Sequence, residues 1–435
     1  MTDHRTSPDV LSAPDVDGLQ TRTVTTLMGS QVMGGIGVAS GIAVAALMAA
    51  EISGRDDLSG LANTTQVLGG ALMTIPVAAL MAARGRRAGL VAAYLVGTVG
   101  AALAITAAVV GHFWLLLLGT ALFGASSTAN SQARYAAVDL APPSRRGRHL
   151  SLVVWATTIG SVLGPNILGP GKQLAGALGL PPLAGAWVFS AAGFLVAATL
   201  IHLLLRPDPL LTARALADHG APPGPRVGQR GSVVHGLRAI IASPVTRLGT
   251  IAVTAGHVVM VAVMVMTPIH MSHGHAEVEV IGFVISIHIL GMYGLSPVAG
   301  YLTDRWGARP VIVTGAVIQV AACVLAATSR TGWSLGLLAG LFLLGLGWSC
   351  TMVAGSNLVV AGAAVHDRAS VQGASDLVMG LSAATAGGLA GVVVQHLGYD
   401  WLGAAGALVA LLLGAYTVLS ARRTVSPAPG RTPAR

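Results

Sequence analysis

Histidines and methionines recur at helical spacing in the second half of the chain. His257, Met260, Met264 and Met271 follow one another at intervals of three, four and seven residues, which places them on one face of a helix. The next apolar run holds His288 and, one turn later on the same expected face, Met292. Thioether and imidazole donors suit a soft ion such as Cu(I), which takes few ligands and needs no carboxylate. His270, His273 and His275 lie between the two runs, where an ion could be captured before being handed inward. The same residues have plainer uses. Methionine is an ordinary filler of helix packing, a mid-membrane imidazole can carry protons, and the outer histidines equally suit a solvated loop.

Asp376 is the carboxylate that falls clearly inside an apolar run, where a charge costs about 2.5–3.5 kcal/mol at the bilayer centre on insertion scales. Together with His288 it is a candidate proton-coupling site; alternatively it pairs with Arg134 or Arg368. Asn63, Gln66, Asn130, Gln132 and Arg134 are further polar residues in apolar runs, suited to lining a cavity or to bonding helix to helix. The candidate substrate-binding residues are thus His257, Met260, Met264, His288, Met292 and Gln66.

The elements that must position these residues are membrane spans. The 435 residues are 54% hydrophobic and 9% charged, with a mean hydropathy of +0.74, whereas soluble domains carry about 25% charged residues. Apolar runs of bilayer length, roughly 20 residues each, begin near Leu27, Leu61, Ala88, Phe113, Leu150 and Leu183, and then near Leu248, Val278, Pro310, Trp333, Ser370 and Trp401. That is six on each side of a Pro- and Arg-rich stretch. Arginines concentrate in alternate connections and at both ends, so both termini are expected in the cytoplasm. The net charge of +9 is read as topology information, because no basic face interleaved with aromatics points to nucleic acid. Cys323 and Cys350 each sit in an apolar run and form neither a disulfide framework nor a metal clip. Phosphate-binding and hydrolase motifs are absent, which argues against an enzyme, against ATP drive and against a bound cofactor.

The expected organisation is a disordered cytoplasmic tail over 1–22, bundles over 23–205 and 248–420, a cytoplasmic linker over 206–247 and a second tail over 421–435. The two halves repeat. An offset of about 222 residues sets Gly85 on Gly307, Arg87 on Arg309, Arg146 on Arg368 and Gln66 on His288. Parallel repeats of this kind occur in transporters that bind their cargo near mid-depth.

The segment Gly300-Tyr-Leu-Thr-Asp304-Arg305-Trp-Gly307-Ala-Arg309 resembles the signature loop of the major facilitator superfamily. The resemblance covers essentially the whole chain. It implies an all-α membrane protein with twelve transmembrane helices in two pseudo-symmetric six-helix bundles, a monomer of the cytoplasmic membrane that moves a small solute by alternating access. An aspartate at a helix end can latch the inner gate by pairing with an arginine of the loop or the partner half, so Asp304, Arg305, Gly307 and Arg309 are gating candidates. The first-half copy keeps Gly85, Arg86 and Arg87 but has Ala82 in place of the aspartate, and a weakened or absent latch is expected there. Gly164-Pro165 in the fifth span looks like the glycine-proline motif of antiporters in this superfamily, where small residues allow close packing and the proline permits a bend. Against drug efflux, Gly119 stands about where drug exporters of the family place an arginine.

Met260 and Met264 followed by His288 and Met292 resemble the motif pair of bacterial copper importers that supply cytochrome oxidase assembly, the CcoA-like branch. That likeness implies copper import with these four residues as metal ligands; related branches carry organic solutes such as riboflavin. The leading expectation is a proton-linked copper importer, and the alternative is a proton-coupled exporter of a drug or metabolite.

Overall fold

In lipid a chain has to satisfy its backbone within each spanning segment, and the apolar runs accordingly form helices. The computed structural model describes residues 13–55, 58–219 and 232–423. The first half contains α1 (Ala13–Ser53), α2 (Gly60–Val110), α3 (Phe113–Ala136), α4 (Arg146–Asn166), α5 (Leu168–Ala177) and α6 (Ala184–Leu204). Two shorter helices follow, α7 (Pro209–His219) and α8 (Val233–Ala242). The second half contains α9 (Pro244–His273), α10 (Val278–Ile289), α11 (Ser296–Trp306), α12 (Ala308–Ala327), α13 (Leu335–Ala361), α14 (Arg368–His396) and α15 (Tyr399–Arg423). Among the described residues eleven helical stretches are long and apolar enough to cross a membrane, and the pair α4 and α5, bent by 61°, makes a twelfth span.

The repeat is visible in the backbone. Gly85, inside α2, and Gly307, between α11 and α12, have φ of 87° and 89°, a region that side-chain-bearing residues rarely adopt. At both places the chain turns sharply and starts back across the bilayer. The packing repeats as well: a Cβ on Gly124 of α3 would lie 2.3 Å from the Gln66 carbonyl, and one on Gly345 of α13 would lie 2.4 Å from the His288 carbonyl. Gln66 and His288 therefore mark equivalent helix crossings inside their own bundles.

Each bundle has its own core. In the first, Phe123 packs edge-on against Trp187 at 5.0 Å between ring centroids, among Leu27, Leu90 and Phe194. In the second, Val253, Met260, Val263, Cys323, Leu341 and Leu344 pack together. A third cluster joins the bundles, with Tyr135, Val138 and Leu150 of the first half against Ala299, Val359 and Val371 of the second.

Three boundaries differ from those expected. The first helix starts at Ala13, inside the stretch expected to be disordered, and the Gln20 side chain donates 2.6 Å to the Ala137 carbonyl, anchoring it to the turn after α3. The stretch expected as a linker is largely helical. Asp208 accepts from the Leu210 and Leu211 amides at 3.0 and 3.2 Å and so starts α7. From α7, Arg214 reaches the carbonyls of Ala82 in one bundle and His366 in the other, at 2.7 and 3.0 Å, so this segment straps the halves together. The last helix runs on to Arg423, past the expected boundary at 420. The remainder of the expected tails and linker, residues 1–12, 220–231 and 424–435, lies outside the described residues.

Candidate functional site

A cavity of about 660 Å³ lies between the bundles. From the first half α1 contributes Gln31, Gly35 and Ala39, α3 contributes Ser127, Asn130, Ser131 and Arg134, and α4 contributes Thr157 and Ser161. From the second half come His257 of α9, Met292 and Tyr293, Trp348 and Met352 of α13, and Met379 of α14. The first wall carries the hydroxyls and amides, set among Val38, Ile42 and Val154; the second is aromatic and thioether, with Ile285 and Ile289 beside them. Small residues bring α1 and α4 together along the polar wall, since a Cβ on Gly160 would meet the Gly35 backbone at 2.6 Å and one on Gly164 would meet the Ala39 Cβ at 2.2 Å. This is the close approach expected of the glycine-proline segment.

Arg134 lines the cavity floor, and Asp376 lies behind it. Arg134 donates to the Asp376 carboxylate at 2.5 Å, to the Ser131 carbonyl at 2.8 Å, and to the hydroxyls of Ser356 and Tyr135 at 3.2 Å each. The other Asp376 oxygen accepts from the Gln132 amide at 2.8 Å. Both charged groups are buried, 4% and 5% exposed, and they sit on opposite bundles. Charge at this depth is tolerated because it is paired and hydrogen-bonded on every side.

On the aromatic wall, Trp348 donates its indole N–H to His257 Nδ1 at 2.9 Å. Tyr293 stands edge-on to the same indole, 5.5 Å between centroids and 83° between planes.

Between the cavity and the face rich in arginine the bundles are latched twice. Asp304 of α11 accepts from the amides of Gly147 and Arg148 at 2.7 and 2.8 Å, the first turn of α4 in the other bundle. The latch is therefore a carboxylate on a helix N-terminus, where the dipole and unpaired amides favour negative charge. The expected arginine partner is not what it holds. Arg305 bonds the Tyr301 hydroxyl on its own helix at 2.8 Å.

The second latch occupies the side where loss of the aspartate predicted a weak or missing one. Arg86, wholly buried, donates to Asp139 at 2.8 and 3.3 Å and also to Gln372 of α14. Arg368 of α14 donates to the Asp139 carbonyl at 3.0 Å. An aspartate from the turn after α3 thus replaces the one missing at Ala82, and the expectation is corrected: this side is closed by a buried ion network.

The methionine and histidine residues do not gather at the cavity. Met292 lines it and His257 lines it. Met260 is buried in the core of the second bundle and Met264 packs against that core. His288 is 1% exposed and its Nδ1 donates 2.8 Å to the Leu341 carbonyl of α13. A π-helical turn, Leu290–Gly294, intervenes between His288 and Met292. It widens the local winding, so the two side chains that ideal α-helical spacing puts on one face part company, one into the bundle and one into the cavity. Gln66 is buried between α2 and α3, away from the cavity lining. Of the outer histidines, His270 stacks on Tyr399 at 4.1 Å, while His273 and His275 are exposed.

Sequence reasoning passed over Trp348, Tyr293, Gln31 and Asp139. The available signal was depth: Trp348 stands at the middle of α13, whereas membrane tryptophans favour the interfaces.

The sequence profile of the Major Facilitator Superfamily matches residues 25–276 and 258–435. The chain belongs to the Major Facilitator Superfamily. It is a multi-pass membrane transporter and not an enzyme. Among its relatives in this superfamily is the uncharacterized MFS-type transporter YddS of Bacillus subtilis, 35% identical over 407 residues, covering 91% of this chain and 90% of the relative. The riboflavin transporter RfnT of Brucella anthropi is 26% identical over 387 residues, covering 88% of this chain and 92% of that protein. The human organic anion transporter MFSD10 superposes with a TM-score of 0.70 at 16% identity, over 92% of this chain and 99% of that one, a likeness of fold.

Proposed function

We propose that this transporter carries a small, uncharged, planar organic solute between its bundles, in the cytoplasmic membrane with the arginine-rich face inward, and that protons drive it through Asp376. The observation behind this reading is the division of the cavity wall. A flat ring against Trp348, Tyr293 and the thioethers of Met292, Met352 and Met379, with hydrogen-bonding groups turned to Gln31, Asn130 and Thr157, satisfies both sides. The full charge lining the cavity is Arg134, and Asp376 neutralises it. Riboflavin, with a flat ring and a hydroxylated chain, has this division of surface, and it is the solute named for the relative RfnT.

The geometry favours this over copper. Of the four candidate metal ligands Met292 alone lines the cavity, and the His257 lone pair at Nδ1 is taken by Trp348. A carboxylate bridging two moving bundles suits a coupling role, because protonation would release Arg134 into the cavity and loosen the floor.

Proteoliposomes with an imposed pH gradient test both parts. Riboflavin should accumulate with wild-type protein, and Asp376→Asn should abolish gradient-driven accumulation while leaving exchange of solute at equal pH. Cu(I) flux that is lost in Met264→Ala and His288→Ala, with no riboflavin flux, would replace this reading by the metal one.

A further inference from the structure

We propose that Trp348 holds His257 as a neutral hydrogen-bond donor, its Nε2–H turned into the cavity, so that the transported solute is selected for an acceptor, a carbonyl oxygen or unprotonated ring nitrogen, at that depth. The inference rests on the reading of the cavity as the solute site and specifies what that site reads.

An indole nitrogen only donates. Since the Trp348 N–H lies 2.9 Å from His257 Nδ1, that nitrogen must offer a lone pair, and the ring proton must be on Nε2. An imidazolium has no lone pair to give and would lose the bond. The indole is held in turn: Tyr293 packs edge-on to it at 5.5 Å, and Trp348 is 5% exposed. Among the described residues Nε2 has no protein partner, and His257 lines the cavity.

The alternative anchor at this end of the cavity is largely committed. Arg134 spends four of its five N–H groups on Asp376, Ser356, Ser131 and Tyr135. When a solute displaces water from the aromatic wall, the Nε2–H needs an acceptor or goes unmatched, a discrimination of roughly tenfold to a hundredfold. An ammonium or a metal ion at the same point meets an N–H head-on. To ligate a metal through Nε2, His257 would have to move its proton to Nδ1 and break the Trp348 bond. His257 is the binding residue in this scheme and Trp348 the positioning residue.

The test uses the full-length protein in nanodiscs with ¹⁵N-labelled histidine. The His257 resonances are assigned by their disappearance in His257→Gln. Wild type should show a single neutral tautomer protonated at Nε2, and Trp348→Phe, which keeps the ring stack and removes the N–H, should show both tautomers exchanging. In parallel, riboflavin uptake by Trp348→Phe should have a KM raised roughly 5- to 10-fold at nearly unchanged turnover. His257→Gln, which retains a side-chain N–H donor, should keep more uptake than His257→Phe. A wild-type His257 protonated at Nδ1, a tautomer indifferent to Trp348→Phe, or an unchanged KM with the tautomer released would each overturn the proposal. If wild type carries no riboflavin, the assignment of that solute fails by itself, and the nitrogen spectra still decide the tautomer.

Discussion

The Arg134–Asp376 pair has a thermodynamic signature distinct from an ordinary surface bridge. Removing one partner of a buried pair leaves an uncompensated charge and costs about 3–5 kcal/mol, whereas replacing both can be nearly neutral. Asp376→Asn and Arg134→Gln should each lower the melting temperature in detergent, and the double variant should recover at least half of either loss. The double variant should also remain folded yet fail to accumulate solute against a gradient, which separates stability from coupling. Additive losses in the double variant would mean that the two groups act independently of each other. Both residues stood out in the sequence because a charge in an apolar run demands a partner, and the possibility of their pairing was legible from depth alone. The aromatic wall was not. A tryptophan or tyrosine in a hydrophobic run has the composition of a core residue, and only the crossing of α9 with α13 brings His257 and Trp348 to 2.9 Å.

At the scale of elements, the gate works through the start of one helix. Gly147 and Arg148 present amides that α4 cannot satisfy internally, and Asp304 supplies the missing acceptor from the other bundle. A cap of this sort contributes about 0.5–2 kcal/mol, enough to move an equilibrium between gate states by roughly twofold to thirtyfold. Asp304→Ala should therefore increase opening at the arginine-rich face, read as faster thiol labelling of a cysteine placed below the cavity. Arg305→Ala, which removes a contact within α11 only, should leave that rate within about twofold. A labelling rate in the Asp304 variant no faster than in Arg305→Ala would show that this cap does not hold the gate. The spans themselves were readable because length and hydropathy set them, and the paired glycines at 85 and 307 were readable because their repeat is a backbone requirement. The bend between α4 and α5 follows the Gly164-Pro165 segment, where the sequence allows one. The π-helical turn at Leu290–Gly294 was not readable, because a fixed 3.6-residue period carries no trace of it.

For the molecule as a whole, both latches and the shared apolar cluster lie on the same side of the cavity, so the structure is that of a transporter closed toward its arginine-rich face. Two helix pairs make that closure, and both depend on the absence of side chains. A Cβ on Gly300 of α11 would lie 2.1 Å from the Ser151 hydroxyl of α4, and a Cβ on Gly373 of α14 would lie 2.3 Å from the Ala78 Cβ of α2. Each contact joins one bundle to the other on the closed side. A bulky residue at either position raises the energy of that arrangement at a point outside the cavity lining, and a ligand-free population shift follows if the contact parts during the cycle. Ser161→Cys, on the polar wall of the cavity, provides a reporter, because the native Cys323 and Cys350 are buried. In the reporter background a membrane-impermeant thiol reagent should label from the face opposite the arginines. Adding Gly373→Leu should transfer labelling to the arginine-rich face and reduce it from the other. Labelling that keeps its original side in the wedged protein would mean that the α2–α14 contact does not part during the cycle, and that the bundles pivot about it.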